Sequence, residues 1–199
     1  RTLSALFFNM QNKAIQEALS QYLEVKEGYM AGLLDAKEDG LEKSFWQTFE
    51  ISHLMSMDPR RTTPVLLYLF HQIQRSLDGR PTFVIIDEGW MIMMNELFMD
   101  FWIEFLRTAR KNNACIILAT QSLSDVVKSP AFSVISESCP TKIFLPNPAA
   151  RDPDCYGHYE AFGLNARQVE IISHAESKRH YYVTSGNLGE RLIDLGLSP

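Results

Sequence analysis

Two short apolar runs separated by one long amphipathic segment constrain the fold of this chain more than any other feature. Residues Thr82–Ile86 and Ala114–Ala119 are rich in β-branched side chains and apolar on both sides, as parallel strands covered by helices on both faces are. Between them, Glu96–Asn112 has apolar residues at helical spacing. A strand, a helix and a second strand predict a β-α-β unit with a right-handed crossover, and therefore an α/β domain.

Shorter elements are predicted on both sides of this unit. Helical spacing indicates one helix within Leu3–Tyr22 and a short one near Tyr29–Leu34, and Thr63-Pro64 is typical of a helix start. Downstream we expect a helix at Ser124–Lys128, a strand at Thr141–Leu145, helices at Tyr156–Phe162 and Ala166–His174, and an edge hairpin formed by His180–Thr184 and Arg191–Leu195. We therefore expect one domain of 199 residues: a helical and loop insertion region at 1–62, a core at 63–145, and C-terminal helices with an antiparallel hairpin at 146–199.

The strongest chemical signal is the acidic pair that ends the first strand. Asp87 and Glu88 follow directly on Phe83–Ile86, and in open α/β sheets ligands bind at the carboxyl ends of the strands. There Asp87 is placed to hold Mg²⁺, directly or through a water, and Glu88 to orient and deprotonate a water that attacks a γ-phosphate. The alternative is that both acids only favour a helix N-terminus.

A polar amide follows the next strand. Gln121 lies in Ala119-Thr120-Gln121-Ser122, so we expect it beside the acidic pair, where it can contact the γ-phosphate or the attacking water. The alternative for Gln121 is an ordinary helix cap or loop residue. An acidic pair and an amide at the ends of neighbouring strands are more specific together than either is alone.

Cations crowd the end of the helix between the two strands. Arg107, Arg110 and Lys111 are favoured there by the helix dipole alone. A second interpretation applies to Arg110, which can reach the ATP of a neighbouring subunit and stabilise charge in the transition state. Both interpretations of Arg110 stay open, whereas the dipole suffices for Arg107 and Lys111.

No phosphate-binding loop of the form G-x-x-x-x-G-K-S/T is present. The nearest fragment, residues 40–44, lacks the glycine before the lysine and follows no strand. Because such a loop precedes the Asp-Glu strand in this kind of fold, we expect a chain cut downstream of the loop. Losing the strand that carries the loop should expose apolar surface in the sheet and favour self-association.

The motifs together resemble one family. Ile86-Asp87-Glu88-Gly89-Trp90, Leu106–Asn112, Ala119–Ser122, Cys139–Pro148 and Phe162–Asn165 are similar to segments of the conjugative type IV secretion ATPases of the TrbE/CagE kind. The resemblance covers most of the chain from Phe49 onward. Gly89 departs from it, because the family more often has alanine there.

The resemblance implies a RecA-like P-loop NTPase core, mostly a parallel sheet between helices, that is truncated on its N-terminal side. Asp87 and Glu88 would be the Walker B pair, Gln121 the γ-phosphate sensor and Arg110 the arginine of the R-K motif, with ATP and Mg²⁺ as ligands. The implied assembly is a hexamer on the cytoplasmic side of the inner membrane. It would work with other secretion components, including a coupling ATPase, to power channel assembly or substrate transfer.

Two other functions are compatible with the sequence. The first is a non-catalytic docking module that uses Met91–Met94. The second is a DNA translocase of the FtsK/HerA kind, which a formal net charge of −5 and the lack of a basic stripe disfavour. We expect a protein without membrane-spanning segments and with reduced thiols, since three cysteines match no zinc motif. Cys115 is predicted to be in the core, and the spacing of Cys155 and His158 has no second ligand pair to complete a metal site.

Overall fold

The computed structural model describes residues 2–23, 26, 28, 31–41, 44–89, 95–186 and 188–196. The chain forms two compact units, Arg1–Gln72 and Ile73–Pro199. The predicted division into three sequence regions stays a prediction. Met91–Met94, to which the docking hypothesis was attached, lie outside the described residues.

The first unit is helical in its described parts. Its elements are α1 (Leu3–Asn9), α2 (Lys13–Leu19), a 3₁₀ turn (Ser20–Tyr22), α3 (Ala31–Leu34), α4 (Ser52–Met55) and most of α5 (Pro59–Ser76). The single helix predicted within Leu3–Tyr22 is divided, because Met10 has an extended backbone and the Asn12 side chain accepts hydrogen bonds from the first amides of α2. The short helix predicted near Tyr29–Leu34 is present as α3.

Helix α5 begins four residues before the predicted start. Asp58 accepts a 2.8 Å hydrogen bond from the amide two residues along the chain, and Pro59 takes the first helical position instead of Pro64. Thr63 is buried and donates to the Pro59 carbonyl at 2.7 Å, so its predicted role as the N-cap is wrong. Pro64 removes one backbone donor within the helix, and the hydroxyl of Tyr22 donates to the carbonyl four residues before it.

The second unit contains every strand of the described chain. Its elements are β1 (Thr82–Ile86), α6 (Glu96–Ala109) with a 3₁₀ turn (Arg110–Asn112), β2 (Ala114–Leu118), α7 (Leu123–Lys128), α8 (Phe132–Ser138), β3 (Thr141–Phe144), a 3₁₀ turn (Pro148–Arg151), α9 (Pro153–Ala161), α10 (Ala166–His174), β4 (His180–Ser185) and β5 (Gly189–Asp194). Strands β1 and β2 pair in parallel, while β3, β4 and β5 form an antiparallel sheet in that order. The predicted α/β fold and edge hairpin are confirmed, and α8 was not predicted.

Helix α6 fills the centre of this unit. Phe98, Trp102 and Phe105 are at most 1% exposed, and the rings of Trp102 and Phe105 stack with centroids 5.9 Å apart. Asn95 caps the helix by accepting a hydrogen bond from the Phe98 amide at 3.1 Å. Because α6 packs against β2 and α8, its aromatic face fixes the crossover between the two parallel strands.

A second core lies under the antiparallel sheet. It contains Phe144, Ala150, Tyr159, Leu164, Val169, Ile172 and Tyr182. Asn165 and Gln168 form a capping box at the start of α10, which confirms the predicted N-cap at Asn165. The buried Gln168 side chain also donates to Glu190 on β5, so the cap connects α10 to the hairpin.

One face of the parallel pair is exposed, although the sequence pattern predicts strands covered on both faces. Phe83, Ile85 and Ile117 are 69%, 62% and 44% exposed, and Cys115 on the same face is exposed as well. Cys115 shares this face because paired positions in parallel strands project to the same side. The prediction of Cys115 as a core residue is therefore wrong, while the predicted exposure of apolar sheet surface agrees with the structure.

This exposed face should make the chain self-associate. We expect Phe83→Thr combined with Ile85→Thr to lower both 1-anilinonaphthalene-8-sulfonate fluorescence and the apparent mass in concentration-dependent light scattering. Threonine keeps strand propensity while removing most of the apolar side chain. Leu188→Thr is the matched control, because Leu188 is 72% exposed but lies outside the parallel pair. Association of the double variant equal to that of the unmodified protein would contradict the assignment.

An ion pair fastens the ends of the hairpin and depends on pH. Arg179 contacts Asp194 through two hydrogen bonds of 2.9 Å. Together with the Gly196 amide, it lowers the pKa of Asp194 from 3.8 to about 2. Since the folded-state pKa is depressed, this stabilisation is complete above about pH 4 and is lost as the pH falls through about 2. Its size is small because both side chains are solvent-exposed.

Carboxyl ¹³C NMR titration measures this pKa directly. Arg179→Gln should return the pKa of Asp194 towards its ordinary value, since the two charge-assisted hydrogen bonds are lost. Arg167→Gln is the control, because Arg167 pairs with Glu170 and not with Asp194. A midpoint near pH 4 for Asp194 in the unmodified protein would show that the pair does not form in solution.

Candidate nucleotide-hydrolysis site

The candidate site begins at the turn that follows β1. Asp87 is exposed, and its Oδ1 accepts a hydrogen bond from the Glu88 amide at 3.0 Å. Glu88 has a backbone φ of 53°, in the left-handed region that residues other than glycine rarely adopt. This conformation turns the chain sharply, so the two carboxylates do not simply continue the alternation of the strand.

Two backbone hydrogen bonds join this turn to the end of β2. The Ala119 amide donates to the Ile86 carbonyl at 2.9 Å, and the Gly89 amide donates to the Ala119 carbonyl at 3.0 Å. The pairing of the two strands therefore continues past the last residues of both. The residues after β1 and those after β2 are held side by side as a consequence.

Glu88 and Gln121 are in direct contact. The side-chain amide of Gln121 donates a hydrogen bond to Oε1 of Glu88. The sequence predicts that these side chains meet because the carboxyl ends of parallel strands share one edge of a sheet, and the structure brings them together. Their chemical roles stay predictions.

Two neighbours of Gln121 were not singled out from the sequence. Ser122 is the N-cap of α7 and accepts a hydrogen bond from the Asp125 amide at 3.2 Å. The Thr120 hydroxyl accepts one from the Ser122 amide, also at 3.2 Å. These short-range bonds fix the backbone on both sides of Gln121. The spacing of Ser122 and Asp125 before an apolar segment is the sequence signal that could have revealed the cap.

The structure does not bring Arg110 to this edge. Arg110 lies just before β2, whereas Gln121 lies just after it. Five strand residues separate the two ends by about 13 Å, at roughly 3.3 Å per residue. Arg110 is exposed, and within the described residues it forms no ion pair and no side-chain hydrogen bond. It is therefore available to a partner but remote from Asp87, Glu88 and Gln121 of its own chain.

The donor atoms of the site suit a hard divalent cation. Carboxylate oxygens are the ligands that Mg²⁺ prefers, usually one or two of them with water and substrate phosphates completing the shell. Asp87 presents an exposed carboxylate directly after β1, and only Oδ1 is engaged by the Glu88 amide. The residues present thus fit a magnesium ion that shares its coordination with a nucleotide.

Other features lie away from this edge. A cavity of about 480 Å³ is lined by Pro140, Lys142, Phe162, Gly163, Leu164, Thr184, Ser185, Gly186, Gly189 and Glu190, none of which belongs to the candidate site. Across the described parts of the chain, no group of three or more histidine, cysteine and acidic residues is placed to bind a metal. No helix among those residues is long and apolar enough to cross a membrane.

Comparison with known proteins supports the resemblance seen in the motifs. No family model matches the chain. Over all 199 residues it is 46% identical to a probable conjugal transfer protein TrbE of Sinorhizobium fredii, and it spans 30% of that protein. The chain is a homologue of TrbE. It is also 31% identical over 192 residues to the type IV secretion system protein virB4 of Bartonella henselae, of which it spans 24%.

The fold of this TrbE homologue is shared with a solved structure. The structure of VirB4 of Thermoanaerobacter pseudethanolicus matches 94% of the chain and 50% of its own length, with a TM-score of 0.67 and 16% sequence identity. At that identity the match concerns the fold alone. The predicted kinship with conjugative and type IV secretion proteins is confirmed, and the chain corresponds to less than a third of the length of its Sinorhizobium relative.

Proposed function

We propose that the intact protein is an ATP-hydrolysing motor of a conjugative transfer or type IV secretion apparatus, and that this chain carries its hydrolytic edge. The observation that carries the proposal is the contact between Glu88 and Gln121 at the carboxyl ends of two paired parallel strands, beside Asp87. The names of the TrbE and virB4 relatives supply the cellular process.

Each side chain of the edge has one role in this mechanism. Asp87 holds Mg²⁺ directly or through a water, and the bound ion would neutralise charge on the phosphates. Glu88 accepts a proton from the attacking water and orients it. Gln121 contacts the γ-phosphate or that water, so its hydrogen bond to Glu88 in the structure exchanges for one to the nucleotide.

Binding the triphosphate requires a loop that these 199 residues do not contain. The sequence has no G-x-x-x-x-G-K-S/T segment, and such loops supply the backbone amides and the lysine that hold the phosphates. The longer relatives have room for it, because the chain spans 30% and 24% of two of them. On this proposal the chain alone does not hydrolyse ATP.

Arg110 acts on the nucleotide of a neighbouring subunit. Its position at the opposite end of β2 from Gln121 excludes contact with a nucleotide at the edge of its own chain, and its exposure leaves it accessible to a second copy. A ring of copies, most simply a hexamer, would place each arginine against the next site. This supports the transition-state interpretation, although the helix dipole also favours a cation there.

The surroundings of the motor follow from the same process. We place it on the cytoplasmic side of the inner membrane, with other secretion components and a coupling ATPase as partners. A net charge of −5 gives no support to bulk binding of DNA. A docking module without catalysis is the competing function, and mutation of the acidic pair separates the two.

Glu88→Gln tests the catalytic proposal in the full-length protein. The amide keeps the size of the side chain but cannot accept the proton, so ATP turnover should fall by roughly a hundredfold or more while ATP remains bound. Hydrolysis is measured by phosphate release and binding with a fluorescent ATP analogue. Glu96→Gln is the control, since Glu96 lies in the first turn of α6 and outside the edge. A Glu88→Gln protein with full turnover would favour the docking function.

Mixed oligomers test whether Arg110 acts between subunits. Arg110→Ala and Glu88→Gln proteins should each be inactive, and mixing them should restore part of the activity. The restored activity arises where an intact Glu88 faces an intact Arg110 from the neighbouring copy. Arg107→Ala in place of Arg110→Ala is the control and should retain turnover. If mixing restores nothing although both proteins enter one oligomer, Arg110 has no role in trans.

A further inference from the structure

The turn after β1 depends on a residue without a side chain. A Cβ atom on Gly89 would lie 2.1 Å from Cδ1 and 3.0 Å from Cγ of Leu118, at the end of β2. Both distances are far shorter than the 3.5–4.0 Å of an ordinary carbon contact. Leu118 therefore occupies the space that the side chain of any other residue at position 89 would need.

This close approach occurs where the two strand ends are joined. Gly89 is buried and donates its amide to the Ala119 carbonyl at 3.0 Å. Ala119 directly follows Leu118, and Glu88 directly precedes Gly89. A displacement of Leu118 or of Gly89 therefore acts at once on the backbone that carries Glu88.

Glu88 is sensitive to such a displacement because its backbone is strained. Its φ of 53° is costly for a residue with a side chain, and such conformations persist where the surroundings fix them. The surroundings here are the two backbone hydrogen bonds across the strand ends and the contact of Gly89 with Leu118. The hydrogen bond from Gln121 to Glu88 exists only if the two ends keep this separation.

We propose that Gly89 and Leu118 are a size-matched pair of positioning residues that sets the contact between Glu88 and Gln121. The inference deepens the proposed function and rests on it for its catalytic consequence. It also gives a physical meaning to Gly89, where the resemblance leads one to expect alanine. An alanine at position 89 is compatible with this geometry only if the residue at position 118 is smaller than leucine.

The geometric part is tested on this chain by NMR, without nucleotide. The side-chain amide resonances of Gln121 report its contact with Glu88, and Glu88→Gln provides the reference for a changed contact. Gly89→Ala should move these resonances away from their unmodified positions, because Leu118 must change its rotamer or the strand ends must separate. Gly89→Ala combined with Leu118→Ala should return them, since the second change empties the space that the new methyl group needs.

Matched variants separate positioning from a general loss of structure. Gly157→Ala adds the same methyl group within α9, where nothing lies within 4 Å of the new atom, and should leave the Gln121 resonances unchanged. Leu118→Ala alone measures the effect of the lost leucine. The proposal is wrong if Gly89→Ala leaves the Gln121 amide in place, or if Leu118→Ala fails to restore it while backbone spectra show both proteins folded.

The catalytic part is tested in the full-length protein. Gly89→Ala should lower kcat about tenfold, with little change in KM for ATP, because the catalytic group is misplaced and the binding groups are not. The double variant should recover most of the loss. NMR effects with no hydrolysis by the unmodified full-length protein would leave the pair as positioning residues and refute the ATPase function. Hydrolysis without rescue by Leu118→Ala would refute the pair and leave the function intact.

Discussion

The candidate site depends on the hydrogen bonds that continue the β1–β2 pairing beyond the ends of both strands. The Ala119 amide bonds to the Ile86 carbonyl and the Gly89 amide to the Ala119 carbonyl. A slip of one residue in this register would turn every side chain of one strand to the opposite face. Asp87 and Glu88 on one side and Gln121 on the other would then no longer meet, although every strand and helix could still form.

The energies at this turn nearly balance. Holding Glu88 in a left-handed conformation costs roughly 1–3 kcal/mol, and each backbone hydrogen bond contributes about 0.5–1.5 kcal/mol net. Two such bonds offset the strain, with little left over. The conformation therefore depends on rigid support from the packed residues beneath the turn, and α6, with its buried Phe98, Trp102 and Phe105 against β2, provides that support.

The sequence predicts elements best where local chemistry and packing agree. β1, α6 and α10 agree closely with their predicted ranges, because β-branched runs, helical periodicity and the Asn165 cap act over short distances. The start of α5 was misplaced because Asp58-Pro59 and Thr63-Pro64 are equivalent start signals, and burial of Thr63 decides between them. For the candidate site, the meeting of Glu88 and Gln121 followed from strand order. The left-handed Glu88 and the contact of Gly89 with Leu118 did not, because they depend on distances between strands.

The exposed face of β1 and β2 bears on the proposed function as well. Phe83, Ile85 and Ile117 have the residue types of a strand covered on both sides, so their exposure means that the pattern was shaped by a neighbour that these 199 residues do not supply. The same residues supply no phosphate-binding loop. A segment that packs on this face and ends at the edge formed by Asp87, Glu88 and Gln121 would cover the apolar surface and complete the nucleotide site together. Folding of the sheet and assembly of the catalytic site would then be one event, since the apolar contact that orders the segment also brings its loop to the carboxylates.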